Sequence, residues 1–318
     1  MTGVRRALRQ GRRAAAATAV VIIFAAAPTG AARAAGFDLD FFKPTTPATG
    51  TFCEENGLTV PRAQLDIAVA GGYAHRPLVV DNQKTGTSTG DVVRDRMATT
   101  FVAGYGITDR IDVGVRLTAV AHQVGGQEVD IASDGGIPQR PAPSALGDTD
   151  VLARVALIHA DRPDKRIRLT LLAPLGLPTG HPDALSGSGH FSFRPRLIAG
   201  WHWPRLAFST SMGFAYTPAV EVANSGLVVG KAAEAGLGLA YALLPFRLWA
   251  LAEVTASMGL EQSPTGIGTA VTQFLVGARA LLPADLLLQA GLGSGLMRAA
   301  GSPRFAAMVG LARLWTIP

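Results

Sequence analysis

The sequence predicts an all-β chain, a transmembrane antiparallel up-and-down β-barrel of about twelve strands. Two observations carry that prediction. Extended segments alternate apolar and polar residues over lengths rare in soluble sheets, and the connections between them are by turns tight and long. In "RIDVGVRLTAVAHQV" (110–124), Ile111, Val113, Val115, Leu117, Ala119 and Ala121 form one face. Arg110, Asp112, Gly114, Arg116, Thr118, Val120 and His122 form the other. Strict alternation specifies a strand with one apolar and one wet face. Soluble strands average about 5–6 residues, whereas a tilted strand needs about 9–11 to cross a bilayer.

Residues 1–34 read as a signal peptide. "MTGVRRALRQGRR" is positive, "AAAATAVVIIFAAAP" is apolar, and "TGAARA" sets Ala32 and Ala34 in the small-x-small arrangement of a cleavage site. The apolar stretch is shorter than the roughly 20 residues of a spanning helix. The leader also explains the basic character of the chain. The formal charge of +6 comes from Arg5, Arg6, Arg9, Arg12, Arg13 and Arg33, and residues 35–318 hold 23 basic and 23 acidic side chains. The net charge therefore does not indicate a nucleic-acid partner.

Residues 35–63 contain several prolines together with Phe37, Phe41 and Phe42. They read as a periplasmic segment or as a plug folded into the barrel. Cys53 is the sole cysteine, so no internal disulfide can form.

Residues 64–318 supply the barrel. Extended segments lie near 64–80, 91–105, 110–124, 149–160, 165–178, 190–203, 205–217, 230–243, 246–260, 270–282, 285–297 and 304–317. Tight connections fall at 106–110, 159–166, 203–205, 243–246 and 281–285. Looser ones separate them, at 81–91, 125–150, 179–189, 217–229, 260–270 and 297–304. All tight turns and both barrel termini thus fall on one side, the asymmetry of an outer-membrane barrel. In lipid the apolar face points outward, and the sheet must close because an open edge leaves backbone groups unpaired. A secreted β-sandwich also alternates, but it explains neither the strand lengths nor the two-sided loops. The last segment, "RFAAMVGLARLWTIP", puts Phe305, Ala307, Val309, Leu311 and Trp315 on one face, interrupted by Arg313. An aromatic-ended terminal strand suits recognition by barrel-insertion machinery and places Trp315 at the interfacial girdle.

Five stretches carry a family resemblance: "GFDLDFFKP" (36–44), "VPRAQLDIAVAGGYAHRPLVV" (60–80), "YGITDRIDVGVRL" (105–117), "LGDTDVLARVAL" (146–157) and "LLAPLGLPTGH" (171–181). In these the chain resembles the barrel portion of myxobacterial-type OmpA-family outer-membrane proteins. The resemblance implies an outer-membrane barrel. It does not extend to the family's C-terminal peptidoglycan-binding domain, so wall anchoring is not carried over.

Catalytic signatures are sparse. "GLGSGL" (291–296) fits neither dinucleotide nor P-loop spacing, and its glycines read as strand residues that ease twist or keep the lumen open. Ser188 and Ser294 lack the first glycine of a nucleophile elbow. An enzyme would have to draw on Ser186, Ser188, His181 and His190 in one external loop, for which a polar loop top is the simpler reading. His75, His122, His159, His181, His190 and His202 stand singly, without metal-ligand spacing. Glu128, Asp130 and Asp134 lie in the longest loop as a weak Ca²⁺ set that reads more simply as solvated. No catalytic, cofactor or metal site is expected.

The inward-facing charges form the one constellation with functional content. Arg116, Arg154, Arg166, Arg168, Arg194 and Arg196 project from strands three to six, partly opposed by Asp112 and Asp150, while Glu234 and Glu253 lie on strands eight and nine. As the lining of an open lumen, they form a basic and an acidic wall that would favour small polar or anionic solutes. If they pair across a narrow interior, they seal it. Twelve strands fall between the filled eight-strand barrel and the water-filled porins of sixteen or more. Either residues 125–150 or residues 36–63 could plug the lumen. Two readings stand: a narrow porin-like channel, and a non-conducting structural barrel whose external loops meet other envelope components. In both, the partners are outer-membrane lipids and the insertion machinery, and in the first, small polar solutes as well. The register is testable: Val115→Arg on the lipid face should lower unfolding free energy by roughly 2–4 kcal/mol in denaturant titrations. Thr118→Arg on the opposite face should be tolerated.

Overall fold

The computed structural model describes residues 38–39, 42–46, 49–81, 88–125, 141–159, 166–222, 227–245, 247–261, 270–297 and 301–317. The expected leader, Phe37, Phe41, the Glu128–Asp130–Asp134 set and most of loop 125–150 lie outside these residues. The strands are β1 (Gln64–Asp81), β2 (Ser88–Gly106), β3 (Ile111–Val124), β4 (Ala145–Ile158) and β5 (Ile167–Leu177). β6 comes in two pieces, Ser192–Phe193 and Arg196–His202. There follow β7 (Leu206–Ala215), β8 (Ala232–Leu244), β9 (Leu248–Gly259), β10 (Ala270–Leu282), β11 (Leu286–Gly295) and β12 (Phe305–Thr316).

Every strand pairs antiparallel with its sequence neighbours, and β1 pairs with β12 from Gln64↔Thr316 to His75↔Phe305. The sheet is thus a closed twelve-strand antiparallel barrel. β6 is interrupted at Arg194–Pro195 because Pro195 has no N–H to donate. Arg194 N–H instead bonds the carbonyl of Pro174 on β5, and the ladder to β7 continues through Phe214 N–H to the Pro195 carbonyl. A small ribbon, Val220–Val222 with Leu227–Val229, decorates the β7–β8 connection.

Burial along the strands is the reverse of a soluble protein's. Large apolar side chains are exposed, among them Leu117 (44%), Leu197 (45%), Met212 (73%), Val276 (49%) and Val309 (52%). Charged residues on the alternate positions are buried, Asp112 at 0% and Arg154 at 1%. An exposed apolar belt around a closed sheet is what hydrocarbon requires, and it places the chain in the bacterial outer membrane. At the end of the belt, the Arg313 guanidinium lies 5.4 Å over the Trp315 ring, so the charge that interrupts the face is held by a cation–π contact.

The alternation of the 110–124 stretch fails at one point. Met97 pairs with His122 but Ala98 pairs with Val120, so Ala121 is an extra residue in β3. This β-bulge switches the faces beyond it. His122, expected on the wet face, is exposed among the outward residues, and Gln123 takes the inner position at 3% exposure.

Candidate functional site

The site is built from the inner positions of the strands and from the described residues of 38–62, which precede β1. The segment is short but meets every strand of the ring. Phe42 packs on Gly72 of β1 and Val60 on Gly104 of β2. Val60 N–H donates to Asp112 of β3 (2.8 Å), Glu55 pairs with Arg154 of β4 (3.0 Å), and Thr170 of β5 donates to the Gly57 carbonyl (2.8 Å). The Asn56 carbonyl lies against Gly200 of β6, and Ser211 of β7 donates to Glu54 Oε2 (2.9 Å). Gly236 and Gly238 of β8 leave the space that the Glu54 side chain fills. Glu253 of β9 and Arg279 of β10 bind its backbone. The Phe52 ring covers Gly291 of β11 and packs with Ala70, Leu251, Leu275 and Met308, the last on β12. A chain can touch all sides of a closed sheet only from within it.

The tightest seat is at Glu253. Its Oε2 accepts from Thr51 Oγ1 (2.7 Å) and from three consecutive backbone N–H groups, those of Phe52 (3.0 Å), Cys53 (2.8 Å) and Glu54 (2.8 Å). Successive N–H groups converging on one oxygen form an anion-binding nest. The turn that builds it is held by Thr45 N–H to Phe52 carbonyl, Thr51 N–H to Glu54 carbonyl and Asn56 N–H to Thr49 carbonyl. Opposite, Arg279 Nη2 donates to the carbonyls of Gly50 (2.6 Å) and Thr51 (2.9 Å). Glu54 is buried beside them, and burial pushes its carboxyl up to about 8 despite the Ser211 hydrogen bond.

The anticipated residues fall into groups. Arg154 bridges Asp112 (Nε–Oδ1 2.8 Å) and Glu55 (Nη1–Oε2 3.0 Å). Arg116 forks onto Asp150 Oδ2 (2.9 and 2.7 Å) and donates to the Lys43 carbonyl. Arg196 holds Glu234 Oε2 (2.9 and 2.7 Å), and Arg194 interacts electrostatically with both Asp150 and Glu234. Arg168 is half-buried with its stem beside Gly57. Arg166 stands apart, exposed just before β5, with its carbonyl accepting from His202 N–H. Reading the strands missed Arg96, Arg279 and Glu55; the first two sit at inner positions of alternating strands and were findable by parity.

The β5–β6 loop also turns inward. Its carbonyls at Ala184 and Leu185 accept from Arg96 and Gln123, and Leu39 N–H bonds the Leu185 carbonyl. Ser188, the serine considered as a nucleophile, donates to Asp148 Oδ2 (2.9 Å) and the His190 carbonyl (2.8 Å). This is a loop turn, with no imidazole among its partners.

Breaking the Arg154 bridge should be costly, because it leaves buried carboxylates uncompensated. Arg154→Met is expected to lower unfolding free energy by about 3–5 kcal/mol in refolding titrations. Arg154→Lys, which keeps a cation there, should lose less.

No protein-family model matches the chain, and no curated protein matches it significantly. Among solved structures, it is similar to an outer membrane channel from Pseudomonas putida F1, at 16% identity over 82% of this chain and 98% of that one, with a TM-score of 0.60. It is also similar to the NanC porin, at 8% identity over 79% and 98%, with a TM-score of 0.50. The ring of twelve strands and these neighbours overturn the OmpA-type assignment, since OmpA-type barrels have eight strands. The likenesses establish the fold: a twelve-stranded outer-membrane barrel of the architecture that channels and porins use.

Proposed function

We propose that this protein is an outer-membrane channel for small polar solutes, closed at rest by residues 38–62 seated in its lumen. The observation that carries this reading is the seat itself, polar bonds and glycine-lined gaps that receive one segment from all sides. Asp112, Arg116, Arg154, Arg168, Arg194, Arg196, Glu234 and Glu253 line the lumen in this reading, with Arg166 at one mouth. The segment is held by many individually modest hydrogen bonds, the kind of contact that can be exchanged for water.

Charge pairing tempers selectivity. Arg116, Arg154 and Arg196 are each matched by a wall carboxylate, which offsets the field of a basic wall. Release of the segment frees Arg279 and one fork of Arg154, against Glu253. The open lumen is then modestly anion-favouring.

Planar-bilayer recordings of residues 35–318 under a salt gradient test the reading. The wild type should open rarely. Glu253→Ala, which removes the nest's anion, and Gly291→Leu, which displaces the Phe52 ring, should raise open probability at least tenfold, with reversal potentials of anion sign. Silent but folded variants would leave the non-conducting barrel as the function.

pH offers an independent check. Seated Glu54 holds its proton up to about 8, whereas a released carboxyl ionises near 4.5. The seated state therefore binds the extra proton between these values, and raising pH through that window favours release. Groups facing Glu54 are Ser211 and Arg196 from the wall, Glu253 across the nest and neighbouring Glu55. Open probability should climb from pH 5 to 8 and level off above. Glu54→Gln should flatten that rise.

A further inference from the structure

The inner segment has a direction as well as a seat. Its C-terminal end lies beside the tight β2–β3 turn, where Arg62 N–H donates to Asp109 (3.2 Å) and Ala63 N–H to the Gly106 carbonyl (2.9 Å). Its N-terminal end lies at the other mouth. There Leu39 N–H donates to the Leu185 carbonyl (3.0 Å), and Asp38 pairs antiparallel with Ser186. Leu185 and Ser186 belong to the long β5–β6 connection. Short turns of outer-membrane barrels face the periplasm and longer loops face outward. The segment therefore enters at the external mouth and leaves at the periplasmic one.

The β5–β6 connection is braced to receive it. On one side, Asp148 of β4 donates its N–H to the Ser186 carbonyl (3.1 Å), and its carboxylate accepts from the N–H groups of Gly180 (2.9 Å) and Ser188 (2.8 Å). On the other, Arg96 donates to the Leu185 carbonyl (3.2 Å) and Gln123 to the Ala184 carbonyl (2.9 Å). The two leucines joined by the hydrogen bond are both buried. Lys43 Nζ reaches back to Asp38 Oδ2 (2.8 Å), which fixes the end of the segment. At the periplasmic end the segment runs straight into β1, whose first residue, Gln64, is already paired with Thr316. Only the external end can part from the barrel without opening the sheet.

We propose that Asp38–Leu39 and the β5–β6 connection form an external latch, so that the N-terminal end of the segment is presented at the outer surface and release begins there. The position of the latch stands whether or not the barrel conducts. Its part in gating rests on the channel reading above.

The test uses residues 35–318 with Cys53→Ser, Asp38→Cys and Ser186→Cys. The Leu39–Leu185 hydrogen bond makes 38 and 186 a non-hydrogen-bonded pair, in which Cα atoms lie about 4.5 Å apart, close enough for a disulfide. Oxidised, folded barrels should lose both thiols in a maleimide-polymer gel shift. Asp38→Cys combined with Ile107→Cys, at the opposite mouth, should keep them. Sidedness is read from a short epitope inserted after Ala35 in the full chain: antibody should bind it on intact cells. Free thiols in the 38–186 pair, or staining that requires permeabilised cells, would overturn the proposal. For gating, Glu253→Ala is added to the 38–186 pair. Oxidation should lower its open probability at least tenfold and a reductant should restore it, and openings that persist through the closed disulfide would overturn release at this end. A barrel that forms the disulfide and displays the epitope but is silent in bilayers would sustain the latch and sink only the channel reading.

Discussion

Closure of the sheet between β1 and β12 is the constraint on which the remaining structure depends. Once Gln64 pairs with Thr316 and the ladder runs to His75 and Phe305, every strand has an inside and an outside, and backbone groups need nothing from lipid. The period of two then does the sorting. Leu117, Met212 and Val309 turn to hydrocarbon, and Asp112, Arg116 and Arg154 turn to an enclosed space.

That enclosed space makes demands of its own. Twelve strands fall between the eight-strand barrel that side chains fill and the water-filled porins of sixteen or more, and here the interior carries charges that are buried. The wall meets part of the demand through Arg116–Asp150 and Arg196–Glu234. Residues 38–62 meet a further part: Glu55 completes the Arg154 bridge, and the backbone of 51–54 satisfies Glu253. The same contacts that seat the segment inside the barrel therefore compensate charges that would otherwise be buried alone. Stability of the barrel and occupancy of its interior are one problem.

Strand number, faces and loop sides were legible in the sequence because each depends on local alternation and on turn residues. The switch at Ala121 was not, since a bulge is a property of the pair and appears only where Met97 and Ala98 choose their partners. Nor was the inward path of residues 178–191, whose anchors Arg96 and Gln123 lie on other strands. The OmpA resemblance rested on alternating stretches and their turns, features any up-and-down barrel shares, so it could report the class and not the strand number. The glycines offer a subtler lesson. Gly291 was read as easing twist or keeping the lumen open, but the space it leaves is occupied by the Phe52 ring, and Gly236 and Gly238 leave the space that Glu54 fills. Absent side chains on an inner face mark where something else sits.

Two kinds among the interior arginines differ in a way that bears on the proposed function. Arg116, Arg154 and Arg196 are tied to wall carboxylates and remain tied if the inner segment leaves, so they shape the lumen without dominating its field. Arg279 donates to backbone carbonyls of the segment as well as to Gln289 of the wall, so in the channel reading release of the segment uncovers part of its charge. A solute entering an opened barrel would therefore meet a different potential from the one the closed structure presents. Under the proposed channel function, selectivity would be set in the released state, by the charges the segment had been covering.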